Sequence, residues 1–225
     1  MKVRCRGFLP AVEMTWLSNY DNDMFVIIPA KPFGEAKTRL AGVLPAAERA
    51  DLSRSLLQRT IGLARQVGEV VVVSRDAGVR KLAKEAGAWA LVEAGHDLNQ
   101  ALRQAADWVA AQGGEAVLVL PGDLPLLQPS DLAEMVRLGQ RSPAVVIAPS
   151  QRLDGTNALL LRPPGLVEFA FGPESFEKHQ HAARVAGVEP ILYHSPTVGL
   201  DLDLPEDLRI WQRRSCEDFD TARCG

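Results

Sequence analysis

Three acidic side chains in the sequence have the type and spacing that bind a metal ion beside a phosphate. Asp123 directly follows the apolar run 116–120, and Asp201 and Asp203 are two residues apart, so in extended backbone both point to one face. Mg²⁺ prefers oxygen ligands and usually takes one or two carboxylates plus substrate phosphates. We therefore expect these carboxylates to hold one or two magnesium ions over a phosphate. The alternative is that Asp123 caps a turn and Asp203 caps the next helix.

Three basic side chains follow the first apolar run of the chain. Residues 24–29 have the composition of a buried strand, and Lys31, Lys37 and Arg39 come directly after it. In parallel sheets, ligands bind in the crevice beyond the carboxyl ends of the strands. We expect this loop to seat an anionic, phosphate-bearing ligand. A solvated charged loop is the alternative.

Short apolar runs alternate with amphipathic stretches throughout the chain, which predicts an α/β three-layer sandwich with a mostly parallel, mixed sheet. Strands are expected over 24–29, 69–74, 89–93, 116–120, 144–148, 158–161 and near Ile191. Helices are expected over 45–67, 78–86, 98–112 and 175–186, after an N-cap at Ser130, and from Pro205 onwards. This arrangement places both groups of charged residues after strands.

The composition of the chain limits the classes of protein to which it can belong. The 225 residues are 47% hydrophobic and carry a net charge of −3, which is ordinary for a globular protein and argues against nucleic-acid binding. No apolar stretch is long enough to cross a membrane. The cysteines, Cys5, Cys216 and Cys224, have neither disulfide nor metal-ligand spacing, which favours a cytoplasmic location.

The chain is expected to form one domain over residues 24–213. Residues 1–23 are expected to be an extension outside the core, because their apolar run is too short for a signal peptide and is interrupted by Pro10. Met24 directly precedes the first strand and could be the true start. Residues 214–225 are expected to be a flexible tail.

Several further polar positions allow two interpretations. Asn99 could hydrogen-bond a ligand, but capping the helix that begins near it is the more frequent role. Turns at 155–157 and 171–176 combine glycine with hydroxyl groups and could seat an anion, or could be a plain turn and an N-cap. His179 and His181 are expected at the surface.

The sequence lacks G-x-G-x-x-G after a strand, the P-loop, H-E-x-x-H and G-x-S-x-G, which disfavours dehydrogenases, P-loop enzymes, zincins and α/β-hydrolases. It resembles instead the phosphoenolpyruvate or 2-phospho-L-lactate guanylyltransferases of coenzyme F-420 biosynthesis. The resemblance spans residues 25–208 and is carried by P-A-K-P (29–32), A-K-T-R-L (36–40), L-N-Q-A-L (98–102), G-D-L-P-L (122–126), D-G-T-N (154–157), F-G-P-E-S-F (171–176) and D-L-D-L-P-E-D-L (201–208).

The resemblance implies a nucleotidyltransferase fold of the nucleotide-diphospho-sugar transferase type, with GTP as donor and Mg²⁺ as cofactor. It implies that the metal ligands are Asp123, Asp201 and Asp203, which with Lys37 form the catalytic set. The nucleotide would be bound by Lys31, Lys37, Arg39 and, near its sugar or base, Asn99. The small phospho-acid would be bound by Thr156, Gly172 and Ser175.

The reaction expected from the resemblance is attack by the acceptor phosphate on the α-phosphorus of GTP, with release of pyrophosphate. Phosphoenolpyruvate, 2-phospho-L-lactate and 3-phosphoglycerate stay open as acceptors, because packing alone discriminates such small differences weakly. The alternatives are a related nucleotidyltransferase with a sugar-phosphate or molybdopterin acceptor, and a non-catalytic nucleotide-binding module. The oligomeric state also stays open, with a homodimer among the alternatives.

Overall fold

A computed structural model of the chain describes residues 23–95 and 97–221, with side chains described through residue 214. The predicted N-terminal extension therefore lies, apart from residue 23, outside the described residues. No helix in the described ranges is both long and apolar enough to cross a membrane.

A seven-stranded sheet forms the centre of the described structure, in the order β3-β2-β1-β4-β6-β5-β7. The strands are β1 (Met24–Pro29), β2 (Glu69–Ser74), β3 (Trp89–Val92), β4 (Ala116–Val119), β5 (Ala144–Pro149), β6 (Thr156–Arg162) and β7 (Ile191–Leu192). β6 pairs antiparallel with both β4 and β5, and the other pairings are parallel. The predicted mostly parallel, mixed sheet is confirmed.

Helices cover both faces of this sheet. They are α1 (Ala46–Ala64), α2 (Ala77–Glu85), α3 (Leu98–Ala111), α4 (Pro129–Leu138), α5 (Ser175–Val185) and α6 (Pro205–Thr221). α1, α2 and α4 pack on one face, and α3 and α5 pack on the other. The predicted three-layer sandwich is confirmed, and the predicted element ends differ by at most three residues, at α1, which ends at Ala64 rather than Val67.

The central strands are apolar throughout because both of their faces are covered. In β1, Val26 and Ile28 belong to the core under α1, whereas Phe25 and Ile27 belong to the core under α3. Successive side chains of a strand point to opposite faces, so every side chain of a strand that is covered on both faces is buried and apolar residues are favoured throughout. Polar chemistry is therefore confined to the strand ends and the loops that follow them.

The start of α4 corrects the prediction that Ser130 is an N-cap. The helix begins at Pro129, and the N–H of the capping residue Gln128 donates to the Asp131 carboxylate at 2.8 Å. Proline is favoured at a first helical position because its missing N–H would have no partner there. The same buried carboxylate accepts hydrogen bonds from the hydroxyl groups of Tyr193, Ser195 and Thr197. These bonds fix the segment that leads towards Asp201.

At the carboxyl end, α6 continues to Thr221, eight residues beyond the predicted domain end at 213. Leu208 in its first turns packs with Leu40, Leu56 and Leu202 in a small separate cluster. This cluster attaches α6 to the loop after β1 and to the segment that carries Asp201 and Asp203. The flexibility expected for residues 214–225 stays a prediction.

Candidate active site

A cleft of about 370 Å³ opens at the edge of the sheet where the parallel strands end. Its walls come from the loop 29–37 after β1, from the residues that follow β2 and β3, and from 121–123 after β4. This is the location expected for a ligand in an open α/β sheet, where loops diverge from neighbouring strands. Lys31, Lys37, Asp123 and Asp203 all line it.

Lys37 lies between two of the predicted metal ligands. Its Nζ donates to Asp123 Oδ2 at 2.8 Å and to Asp203 Oδ1 at 3.3 Å, and its side chain is only 7% exposed. Its backbone has a φ of 54°, a left-handed conformation that costs a non-glycine residue roughly 1–2 kcal/mol. The fold therefore holds an unfavourable backbone geometry at the position that directs this ammonium group between the two carboxylates.

The ionisation of Lys37 follows from these contacts. Burial alone would lower the pKa of the ammonium group, but the charges and hydrogen bonds of Asp123 and Asp203 outweigh it and raise the pKa above its usual value of 10.5. Lys37 is consequently a permanent cation at physiological pH. It brings a positive charge to the floor of the cleft, where a phosphate chain can be bound.

Backbone N–H groups of the segment carrying Asp201 and Asp203 donate to groups on both sides of it. The Leu202 N–H donates to the Asp123 carbonyl at 3.1 Å, which places the two acidic loops side by side. The buried Asp207 carboxylate accepts from the N–H groups of Asp203 and Leu204, at 3.1 and 2.6 Å. Asp207 thus caps the start of α6 and fixes the loop that carries Asp201 and Asp203.

Asp201 is the third predicted metal ligand. Burial, followed by the negative charge of Asp123, raises the pKa of Asp201 above its usual range. The nearby Asp123 charge adds to the effect of burial and disfavours the ionised form of Asp201. Three carboxylates suit Mg²⁺ chemically. Within the described ranges, however, no three acidic, histidine or cysteine side chains converge closely enough to hold an ion, and the Lys37 ammonium group lies between Asp123 and Asp203.

The other two predicted cations differ in position. Lys31 is exposed and lines the cleft, so it can reach a bound anion. Arg39 does not line the cleft; its guanidinium group lies 3.5 Å from Asp203 and is 70% exposed. The structure therefore brings Lys31 and Lys37 to the cleft and leaves Arg39 at its outer rim, beside Asp203.

Asn99 does not cap the helix that begins near it. Asp97, not Asn99, caps α3, through its bond from the Gln100 N–H. The Asn99 amide instead accepts from the Phe171 N–H at 2.8 Å and donates to the Phe171 carbonyl at 3.1 Å. It is absent from the cleft lining. Asn99 thus connects the start of α3 to the segment before α5, and a contact with the nucleotide stays a prediction.

The three residues predicted to bind the acceptor are brought together at a second place, near the end of β4. The Thr156 N–H donates to Ser175 Oγ at 2.9 Å, and the Ser175 N–H donates to the Gly172 carbonyl at 3.2 Å. Gly172 has a φ of +124°, which side chains of L-residues rarely allow. Thr156 begins β6, which runs antiparallel to β4, so the start of β6 lies at the edge where β4 ends.

A histidine at the centre of this second place was missed. His179 is fully buried, with Nδ1 at 2.9 Å from Thr156 Oγ1 and Nε2 at 3.0 Å from the Ala170 N–H. The prediction that it is at the surface is wrong, whereas His181 is exposed as predicted. The buried residues of α5 are Ser175, His179 and Ala183. Their four-residue spacing is the signal that could have placed His179 on the inner face.

Sequence reasoning also missed three residues at the far end of the cleft. Arg75 and Glu93 directly follow the ends of β2 and β3, and Asp97 caps α3; all of them line the cleft. Arg75 forms an ion pair with Glu35 of the loop after β1. The positions next to the strand ends were the available signal, because side chains there face the crevice.

The sheet order, the layers and the cleft at the strand ends define a protein with the nucleotide-diphospho-sugar transferase type of fold. A solved structure from Desulfovibrio desulfuricans G20, provisionally assigned to that class, matches with a TM-score of 0.70 at 19% identity, covering 84% of this chain and 86% of the other.

The chain belongs to the family described as guanylyl transferase CofC like, whose profile matches residues 24–211. It is 42% identical over 187 residues to a phosphoenolpyruvate guanylyltransferase of Rubrobacter xylanophilus, covering 82% of this chain and 91% of the relative. It is 40% identical over 184 residues to a 2-phospho-L-lactate guanylyltransferase of Methanothermobacter thermautotrophicus, covering 81% of each.

Proposed function

We propose that this protein transfers GMP from GTP to the phosphate of a small phospho-acid, phosphoenolpyruvate or 2-phospho-L-lactate, and releases pyrophosphate, in coenzyme F-420 biosynthesis. The observation that carries the proposal is the contact of Lys37 with Asp123 and Asp203 at the end of the cleft. It joins the cationic loop after β1 to the acidic loops, as a phosphate-transfer site requires. Membership of the guanylyl transferase family and the names of the two relatives support this reaction.

The proposed position of GTP follows from the polarity of the cleft. The triphosphate lies along Lys31 and Lys37, with Arg39 at the rim, because these cations offset its charge. Guanine then reaches the far end, near Arg75 and Glu93. Its N1–H and amino group are donors that suit a carboxylate, whereas O6 and N7 are acceptors that suit a guanidinium group.

The acceptor is proposed to bind at Thr156, Gly172 and Ser175, beside the end of β4. One of its phosphate oxygens forms a bond to the α-phosphorus of GTP, and the bond from that phosphorus to the oxygen bridging to the β-phosphate breaks. The protein has to hold two anions together and in line, so alignment and charge compensation supply most of the rate. An ionised phosphate needs no general base.

The proposed cofactor is Mg²⁺, held by Asp123, Asp201 and Asp203. When bound, it would offset charge on the phosphates and orient them. Carboxylate oxygens are ligands that suit this ion, and the contact of Asp123 and Asp203 with the Lys37 ammonium group supports the proposal that they bind a cation. Lys37 is proposed to act with them by stabilising charge on the transferring phosphate. A cytoplasmic location and a homodimer are further proposals.

Pyrophosphate release by the purified full chain tests the function. GTP and Mg²⁺ are supplied with phosphoenolpyruvate, 2-phospho-L-lactate or 3-phosphoglycerate in separate reactions, and the product mass is measured in parallel. We expect release that requires a phospho-acid, and a product heavier than that acid by one guanylyl group. Release only with a sugar phosphate or molybdopterin would reassign the acceptor. No release with any acceptor would support a non-catalytic nucleotide-binding module.

A further inference from the structure

The protonation of His179 follows from its two hydrogen bonds. Nε2 lies 3.0 Å from the backbone nitrogen of Ala170, and a backbone N–H can only donate. Nε2 must therefore be the unprotonated nitrogen of the ring. Burial lowers the pKa of His179 to about 4, so the ring is neutral at physiological pH and its one proton is on Nδ1.

This tautomer decides what the Thr156 hydroxyl group can do. Nδ1 lies 2.9 Å from Thr156 Oγ1, so the imidazole N–H donates and the hydroxyl oxygen accepts. The hydroxyl proton of Thr156 must then point towards a different acceptor. The same reasoning applies to the Ser175 hydroxyl group. Its Oγ accepts from the Thr156 N–H at 2.9 Å, so its own proton points away from that nitrogen. Both side chains are buried, at 6% and 2% exposure.

The surrounding backbone supports the same arrangement. The pairing of β5 with β6 skips Asn157 between Ala148↔Ala158 and Pro149↔Thr156, which is a β-bulge. Bulges redirect side chains next to functional sites. Here Thr156 contacts His179 of α5, whereas the Asn157 amide donates to the carbonyls of Val198 and Gly199.

We propose that His179 is a positioning residue for the acceptor: by donating to Thr156 Oγ1 it directs the hydroxyl proton of Thr156, together with that of Ser175, at an anionic oxygen of the phospho-acid. This inference rests on the proposed function, which places the acceptor at these residues. Ser175 is also the first residue of α5, an 11-residue helix whose N-terminal end favours a negative charge.

Two substitutions of His179 separate this role from simple packing. In H179N the amide nitrogen takes the place of Nδ1 and can donate to Thr156, but the bond from Ala170 is lost. In H179Q the amide oxygen takes the place of Nε2 and can accept from Ala170, but the donor to Thr156 is lost. The exposed His181 on the same helix provides matched controls, H181N and H181Q.

The test measures KM for the phospho-acid and for GTP in the full chain by pyrophosphate release. We expect H179Q to raise the acceptor KM roughly tenfold to hundredfold, the factor associated with a hydrogen bond to a charged group. We expect the KM for GTP to stay within about twofold, H179N to keep the acceptor KM within about threefold, and both His181 variants to match the parent protein.

A double variant shows whether His179 acts through Thr156. If it does, H179Q adds little to T156V, because the hydroxyl group it directs is already gone, whereas T156S retains the response to H179Q. The inference would be overturned if H179N and H179Q raised the acceptor KM equally. It would also be overturned if the increases caused by H179Q and by T156V multiplied in the double variant. If H179Q does not fold, comparison of H179N with T156V decides: an acceptor KM raised equally in both would overturn it.

The outcome is distinguishable from a failure of the proposed function. If the parent protein releases no pyrophosphate with any phospho-acid, the proposed function fails. If the parent protein turns over and H179Q leaves the acceptor KM unchanged, only the role of His179 fails.

Discussion

The two halves of the candidate site are built by different physical means. Around Lys37 the contacts are between charges, and Asp123 and Asp203 are 28% and 39% exposed. Around His179 the groups are neutral, buried and joined by directed hydrogen bonds. The partly exposed carboxylates of Asp123 and Asp203 can accept a further cation from solvent, whereas a buried hydrogen bond cannot be left unmade without a large penalty. This difference supports our proposal that the first half binds the metal and the polyphosphate and that the second half binds the small acid.

The largest expected effect is on the charged half. Asp123→Asn removes the carboxylate that contacts Lys37 and keeps the shape of the side chain. We expect kcat/KM to fall roughly a thousandfold, because the anion that contacts Lys37 and is proposed to hold Mg²⁺ is lost. Steady-state pyrophosphate release measures this, with Asp107→Asn on the exposed face of α3 as a control that should retain activity. Turnover within tenfold of the parent protein would show that Asp123 is not a metal ligand.

Lys37→Met should reduce kcat/KM roughly a hundredfold and should also change the response of stability to magnesium. Without the ammonium group, Asp123 and Asp203 are left with uncompensated negative charge and bind Mg²⁺ more tightly. We expect added Mg²⁺ to raise the melting temperature about 3 °C more in the variant than in the parent protein, or roughly 1 kcal/mol. Thermal unfolding with and without Mg²⁺ measures this, with Ca²⁺ as a second ion. An equal response in both proteins would mean that Lys37 and the ion do not share a site.

Asn99→Ala tests which half of the site this residue belongs to. Because its amide binds the Phe171 backbone, and the Phe171 ring lies 4.8 Å from that of His179, the loss should loosen the acceptor half. We expect the acceptor KM to rise roughly tenfold while the KM for GTP stays nearly constant. The opposite pattern, in which only the KM for GTP rises, would place Asn99 in the nucleotide site.

The smallest expected effect is the pH dependence of stability that arises from His179. Its pKa is about 4 in the folded chain and 6.5 in an ordinary environment, so between these values the unfolded chain binds a proton that the folded chain does not. His179 therefore contributes fully above pH 6.5, and this contribution falls as pH drops towards 4, by at most about 1.4 kcal/mol per pH unit. Urea unfolding at several pH values between these limits gives the free energy of unfolding, which should change less steeply with pH in H179N than in the parent protein. An unchanged slope would mean that His179 is protonated in the folded state.

The sequence predicts the framework better than the neighbours of individual residues. The continuous apolar runs of β1, β2 and β4 require cover on both faces, and this was enough to infer the layers and the strand ends that carry Lys37 and Asp123. The contact between these two residues joins positions 86 apart in the chain. Local patterns predict where such residues lie along the sheet edge and leave their partners undetermined.

The same limit explains what the sequence left open and where it was wrong. Asn99 was interpreted from its position near a helix start, and its partner, Phe171, which is 72 residues away, could not be inferred from that position. Ser130 is a residue type that often caps helices, yet Pro129 and Asp131 on either side of it set the helix start two residues earlier, with Gln128 as the cap. His179 was placed at the surface together with His181 of the same helix; its hydrogen-bond partners are Thr156 and Ala170, which lie outside that helix.

The central claim is that one half of the site binds the nucleotide and the other binds the acceptor. The most direct measurement is pyrophosphate release by the parent protein, Lys37→Met and Thr156→Val, with GTP and phosphoenolpyruvate or 2-phospho-L-lactate varied independently in Mg²⁺. The account predicts turnover that requires both substrates, a lower kcat in Lys37→Met, and a raised KM for the acid alone in Thr156→Val. Equal changes in both KM values for Thr156→Val, or turnover of GTP without any acid, would contradict it.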